Sequence, residues 1–185
     1  SVARHATGLK ELRDAVAIRN RLLRLFELAS QCDDPDERRA MLTFVIVGGG
    51  PTGVEMSGSL SELIRLVLAK DFPRHDLSDV RVILLEALDR LLPGMPDALA
   101  AHTVRALARR HVEVRLNTAV TGYDGCTVAL NTGERIRART MIWAAGIKAE
   151  GVVATMNAQT ARQGRVVVTP ALRALLTART KSKRT

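Results

Sequence analysis

Aromatic side chains are scarce in this sequence: Phe, Trp and Tyr together make up 3% of its 185 residues. A chain with so few stacking platforms is poorly equipped to hold unpaired bases, which argues against a nucleic-acid partner in spite of a formal net charge of +9. The charge distribution points the same way. Residues 171–185 hold five basic side chains (Arg173, Arg179, Lys181, Lys183, Arg184) and no acid, so more than half of the excess charge sits in a tail. With few apolar anchors among them, residues 174–185 read as a solvated, disordered end. Cysteine is rare too. Cys32 and Cys126 lie far apart, no C-x-x-C occurs, and the four histidines show no ligand spacing, which argues against a metal site or a redox dithiol. Two isolated thiols fit a reducing, cytoplasmic compartment. No apolar run reaches the ~18 residues of a membrane span, and no signal-peptide core is present.

What the sequence has is a hydrophobic content of 46%, enough for one well-buried core but, at this length, not for two domains of ordinary size. The informative stretch is Phe44-Val45-Ile46-Val47-Gly48-Gly49-Gly50-Pro51-Thr52-Gly53-Val54-Glu55. An apolar run rich in β-branched residues suggests a strand buried on both faces, and Gly48, Gly50 and Gly53 then satisfy G-x-G-x-x-G at the opening of a helical pattern. In that motif the first glycine permits a tight turn, the second lets backbone amides approach a pyrophosphate, and the third lets the helix pack closely on the strand. The start of the helix offers unpaired N–H groups and the positive end of its dipole to an anion.

Around this centre the chain reads as an α/β fold. The spacing of Leu9, Leu12, Val16, Leu22, Leu23, Phe26 and Ala29 predicts an amphipathic helix over 8–30, and residues 36–39 suggest a helical turn before a strand at 43–47. A crossover helix over 54–69 stops near Pro73, and a second strand follows at 80–85. Asp97 caps a helix over 98–110 with Leu99, Thr103, Ala106 and Leu107 inward, and a third strand covers 112–116. Short β segments at 119–123, 127–130 and 135–138, joined by Asp-Gly and Thr-Gly turns, predict a meander in place of the next helix. A fourth strand occupies 140–143, and Trp143, the single tryptophan, reads as a packing residue. Beyond it the pattern weakens to a helical segment near 152–158, a turn at 163–165 and a strand at 166–169.

Glu86, at the tip of the second strand, is placed to accept hydrogen bonds from the hydroxyls of an adenosine ribose and to repel a 2′-phosphate. It follows Gly53 by about a dozen residues more than the usual ~20, so its strand-end position carries the argument, and a solvated strand-end acid is the plain alternative. Nearby Arg90 leaves some tolerance of NADP open, with NAD the favoured cofactor.

The phrases Gly50-Pro51-Thr52-Gly53-Val54-Glu55, Asp71-Phe72, Leu85-Glu86 through Leu92-Pro93, and Thr140-Met141-Ile142-Trp143-Ala144-Ala145-Gly146 together resemble the type II NADH:quinone oxidoreductases, the non-proton-pumping NADH dehydrogenases. The resemblance runs from about residue 8 to 173. It implies a Rossmann-like parallel sheet with a β-meander crossover that binds NADH, in a protein whose second domain holds FAD and which delivers electrons to a membrane quinone from the cytoplasmic side. Carried over, Gly48, Gly49, Gly50, Pro51, Thr52 and Gly53 cradle the pyrophosphate, Glu86 binds the ribose and Val120 borders the adenine. Glu55, Ala145 and Gly146 lie near the nicotinamide. Glu55 also suits the helix dipole as an acid near its start.

The departures matter as well. No second glycine fingerprint occurs, the tail after Arg173 resembles nothing in the family, and Ala161 stands where the family often has an acid. The expected organisation is therefore a helical segment of a flavin domain at 1–38, the NADH-binding domain at 39–146, a partial return to the flavin domain at 147–173 and the basic tail at 174–185. Such a piece binds NADH without completing catalysis, and its first long helix, lacking the flavin domain, is expected to expose its apolar stripe and self-associate. A non-catalytic NADH-sensing module, or the NADH domain of a ferredoxin-type reductase, are the other readings.

Overall fold

The computed structural model describes residues 2–72, 79–146, 153, 155–161 and 164–174. A short helix α1 (Val2–His5) and a two-residue strand β1 (Thr7–Gly8) precede the long helix α2 (Leu12–Ser30). Asp14 fixes the start of α2, its Oδ2 accepting from the amides of Lys10 and Glu11 at 2.9 Å each. Helix α3 (Pro35–Met41) is capped by Asp34, whose carboxylate accepts from the amides of Asp36 and Glu37. Strand β2 (Thr43–Val47) then leads through the glycines into α4 (Pro51–Leu63). After α4 the backbone widens to a π-helical stretch, Ile64–Leu68, that keeps both Ile64 and Leu68 buried, and α5 (Ala69–Asp71) closes it. Strand β3 (Arg81–Leu85), helix α6 (Asp97–Arg109) and strand β4 (Val112–Arg115) follow. The meander β5 (Val120–Tyr123), β6 (Thr127–Leu130) and β7 (Arg135–Arg137) returns the chain to β8 (Thr140–Trp143).

One sheet has the order β1-β8-β2-β3-β4 with every pair parallel, Val45 standing opposite Ile83 on one side and Met141 on the other. Side chains leave its strands alternately. Phe44, Ile46, Val82, Leu84 and Ile142 enter a cluster with Ile18, Leu22 and Phe26 of α2, Leu60 of α4 and Leu107 of α6. Val45, Val47, Ile83, Leu85 and Met141 face the other way, onto Tyr123, Val128, Leu130, Ile136 and Ala138 of the meander. Helices thus cover one face and a three-stranded antiparallel sheet, β5-β6-β7, covers the other. Phe26 and Phe44 stack with ring centroids 6.3 Å apart, tying α2 to the middle of the sheet.

The chain forms two compact units, residues 1–145, which contain both clusters, and residues 146–185. In the second unit the described residues form antiparallel bridges between Thr160 and Val166 and between Val168 and Ala174.

Several expectations change. The first long helix begins at Leu12, because residues 7–8 pair with Ile142 and Trp143 as a strand. Its buried stripe is Ile18, Leu22, Leu25, Phe26 and Ala29, while Leu12 is 82% exposed. Of the stripe expected to lie open, Leu22, Phe26 and Ala29 are therefore covered by the sheet, while Leu12 and Val16 stay exposed. The crossover helix starts at Pro51 rather than 54, since a proline at the first helical position has the right φ and no N–H to leave unpaired. Asp97 is the first residue of α6 and Pro96 stands at its cap, while Leu99 points outward and Ala100 inward. The predicted stop at Pro73 and most of the basic tail lie outside the described residues, as does part of the segment at 152–158.

Candidate functional site

Parallel pairing brings the carboxyl ends of β8, β2 and β3 to one edge of the sheet. The chain leaves β2 toward β3 on one side, while β8, reached last, lies on the other, and the crevice beyond β2 is where open α/β sheets receive ligands. Three segments converge there: the glycine loop after β2, Glu86 after β3, and Ala144 and Ala145 after β8.

The glycines are needed for different reasons. Gly48 has φ of +113°, and a Cβ on it would lie 2.8 Å from both the Cα and the nitrogen of Ala145. A Cβ on Gly53 would stand 1.8 Å from the carbonyl oxygen of Gly48, so only glycine lets α4 seat on the loop. A Cβ on Gly49 would meet Leu91 Cδ2 at 2.6 Å and Glu86 Oε2 at 2.9 Å. Gly50 is different, for a Cβ there would meet nothing within 4 Å. No contact within the protein requires glycine at position 50, and its absent side chain leaves the approach to the loop open.

That open space lies at a helix N-terminus without a side-chain cap, where Gly50 occupies the cap position and Pro51 has no N–H. The first bond of α4 back to the loop runs from Val54 N to Gly50 O at 3.0 Å. Among the described residues the amides of Gly50, Thr52 and Gly53 have no hydrogen-bond partner. Three free donors beside the positive end of a helix dipole are an arrangement able to attract an oxyanion.

Glu86 is half-buried and tied into this loop. Its Oε2 accepts from the amide of Gly49 and its Oε1 from the amide of Leu88 at 2.8 Å. The amide of Leu92 in turn donates to Gly49 O at 2.8 Å, so the segment after β3 holds the glycine loop from both sides. A carboxylate offers about four acceptor positions, which leaves Glu86 capacity for two further donors such as a pair of vicinal hydroxyls. Glu86 O also accepts from Thr118 N at 2.8 Å, two residues before Val120, which is half-buried and packs on the meander cluster.

Arg90 does not reach toward this rim. Its guanidinium bonds Asp97 Oδ1 and the carbonyl of Met95, each at 2.5 Å, and its Nε is buried without a partner. It lines a cavity of about 430 Å³ with Asp89, Leu91, Ala100, Val104 and Leu116. Ala145 is fixed by Trp143, whose indole N–H donates to Ala145 O at 2.7 Å. Beyond the packing role expected of it, the indole anchors the segment against which Gly48 is packed. Gly146, with φ of +72°, begins the second unit. Glu55 is exposed and lines a groove between α4 and α6 with Ser59, Glu62, His102 and Arg110, a groove that neither Ala145 nor Gly146 lines.

The structure therefore brings together Gly48–Gly53, Glu86 and Ala145, and sets Glu55 one turn along the helix. Leu88, Leu91 and Leu92 also close on the loop and its acid. The sequence signals them only by two leucines in a Leu91-Leu92-Pro93-Gly94 turn, which must cover something. Among the described residues, no group of three or more His, Cys, Asp or Glu is placed to hold a metal ion, and no helix is long and apolar enough to cross a membrane.

Comparison with known proteins fits this geometry. The sequence model of the pyridine nucleotide-disulphide oxidoreductase family matches residues 2–178. The type II NADH:quinone oxidoreductases Ndh and NdhA of Mycobacterium tuberculosis are 38% and 40% identical to this chain over 92% of it, and the chain spans 38% of the length of each. A probable NADH dehydrogenase of Dictyostelium discoideum is 32% identical over 93% of this chain and 38% of its own length. The structure of NDH2 from Plasmodium falciparum in complex with NADH superimposes with a TM-score of 0.78 at 23% identity, covering 82% of this chain and 32% of that one, a likeness of fold. With a family match over nearly its whole length and the glycine loop, strand-tip acid and meander crossover in place, this chain belongs to the pyridine nucleotide-disulphide oxidoreductase family, where it is similar to the type II NADH:quinone oxidoreductases.

Proposed function

We propose that this chain is the NADH-binding part of a flavin-dependent NADH dehydrogenase. The observation that carries the reading is the open space at Gly50, faced by the unpartnered amides of Gly50, Thr52 and Gly53 and flanked by Glu86. In this reading those amides receive the pyrophosphate, with Gly48, Gly49 and Pro51 shaping the loop. Glu86 accepts the ribose hydroxyls and repels a 2′-phosphate, and Arg90, already engaged by Asp97, offers that phosphate nothing, so NADH is preferred to NADPH. Val120 borders the adenine. Ala145, Gly146 and Glu55 border the nicotinamide.

Hydride transfer from nicotinamide to FAD, and passage of electrons to a quinone, is the chemistry those groups supply in the longer protein. The part of this chain is to bind and orient the reduced nucleotide, and alone it does not complete turnover. Residues 39–146 are the NADH-binding domain in this reading; 1–38, a segment assigned to the flavin domain, packs with it as one unit through β1 and α2, 147–173 is a further flavin-domain segment, and 174–185 a basic tail. The longer protein works at the cytoplasmic side of a membrane. Self-association through α2 rests on its first turns, where Leu12 and Val16 stay exposed.

Calorimetric titration tests the assignment. NADH should bind to the folded chain, more tightly than NADPH, and NADH with added FAD and quinone should give no turnover. A folded chain that ignores NADH overturns the reading, whereas binding that never leads to flavin reduction when the chain is joined to a flavin domain favours a sensing module.

A further inference from the structure

The rim of the sheet opposite the glycine loop carries a second concentration of chemistry. Because β2, β3 and β8 are parallel, their amino ends share that rim, about 15 Å from the glycine loop at ~3.3 Å per strand residue. A cavity of about 350 Å³ opens there, lined by Arg21, Arg24, Leu25 and Leu28 of α2, Glu37 and Met41 of α3, Gly125, and Arg139 just before β8. That volume is at the small end of the ~300–1,000 Å³ range of ligand pockets.

Two of its three guanidiniums are held in place. Arg21 donates to the carbonyl of Arg139 and, at 3.3 Å, to Thr140 Oγ1. Arg139 donates to Glu37 Oε1 at 2.6 Å and to Cys126 Sγ at 2.8 Å. Glu37, the single acid in the lining, is engaged twice, since Arg137 donates to its Oε2 at 2.9 Å. Arg24 is the exception: among the described residues it has no hydrogen-bond or ion-pair partner. Three cations against one doubly engaged carboxylate leave a net positive site, and Leu25, Leu28 and Met41 give it an apolar wall.

We propose that this cavity binds an amphiphilic oxyanion, a phosphate or carboxylate carried on a short apolar stem. The head group pairs with Arg24 and with the outward edges of Arg21 and Arg139, for which the planar guanidinium fork is well matched. The stem lies along Leu25, Leu28 and Met41. This site is separate from the nucleotide rim and does not depend on the function proposed for it. The same head-group chemistry has two sources, a free organic acid or phosphate and the head group of an anionic lipid.

The test uses the full chain with octyl phosphate, inorganic phosphate and phosphatidylglycerol vesicles as probes. Octyl phosphate should bind at least about tenfold more tightly than inorganic phosphate, because only the former covers the leucines. Arg24→Gln should weaken octyl phosphate about tenfold or more, the loss of one charge-assisted hydrogen bond, while NADH binding is unchanged. Arg105→Gln on exposed α6 removes the same charge away from the cavity and should leave octyl phosphate binding as it was. Leu28→Asp, at an exposed rim position, should weaken it as well. Equal loss in the Arg24 and Arg105 variants, or equal affinity for the two phosphates, overturns the proposal as mere attraction to a basic protein. Arg24-dependent binding to the vesicles assigns the lipid source; octyl phosphate binding without vesicle binding assigns the free one.

Discussion

Gly50→Ala separates binding from folding. At Gly50 φ is −72° and ψ 179°, an extended conformation open to any residue, and the added methyl group meets no protein atom within 4 Å. Restricting the unfolded chain stabilises by about 0.4–1 kcal/mol. Alanine is a poorer N-cap than glycine by a comparable amount, so stability should stay within about 1 kcal/mol of the parent. Binding should respond very differently. The methyl group fills the space faced by the amides of Gly50, Thr52 and Gly53, and each charge-assisted hydrogen bond lost costs about 1.5–3 kcal/mol, roughly ten- to a hundredfold in NADH affinity. Thermal unfolding and calorimetric titration of the same sample read the two quantities. Gly53→Ala is the contrast, since its Cβ would stand 1.8 Å from Gly48 O and should destabilise the fold by about 3 kcal/mol. If Gly50→Ala binds NADH as the parent does, the loop is not a phosphate cradle; if it unfolds, the space at Gly50 is not open.

Other outcomes follow from the same contacts. Glu86→Ala should lower both the stability and the NADH affinity, because it frees the amides of Gly49 and Leu88; about 1–2 kcal/mol of stability is expected for a half-exposed clamp, measured by urea unfolding, and an unchanged midpoint would remove the clamp. At Glu113 burial raises the carboxyl pKa, but the bonds from Arg81 and Arg115 outweigh it and hold the group below its ordinary 4.5. Its contribution to stability is therefore present above pH 4.5 and lost as pH falls through the lowered value, and Glu113→Gln should flatten that acid limb of the stability curve. Burial pushes the Tyr123 phenol up to about 12, and its hydroxyl donates to Ala138 O at 3.2 Å. A folded value above the unfolded one means stability intact below the ordinary pKa of 10 and falling as pH rises toward 12; phenolate absorbance of this single tyrosine should lag accordingly, and titration near 10 in the folded chain would contradict its burial.

The parts of the fold legible in the sequence were those with one dominant pattern. Thr43–Val47 and Thr140–Trp143 are central strands covered on both faces, so their apolar runs admit no other period, and the structure gives them the expected bounds. In α2, apolar residues occur on more than one side, and periodicity alone does not choose between Leu12 and Val16, now exposed, and Ile18 and Leu25, now buried. The two-residue strand at Thr7 has no pattern to read, because its partners Ile142 and Trp143 lie at the far end of the domain. At the candidate site, the nearness of the Gly48–Gly53 loop to Glu86 was legible from strand, turn and helix order. The clamp joining them was not, because it depends on side-chain and amide contacts across 37 residues.

That same two-residue strand has a further consequence. Without Thr7 and Gly8, the outer border of β8 would present unpaired peptide groups beside Ile142 and Trp143, an adhesive seam for another chain to dock along. A deletion reaching past Gly8 should therefore show itself first as clumping on concentration, with the nucleotide rim still intact.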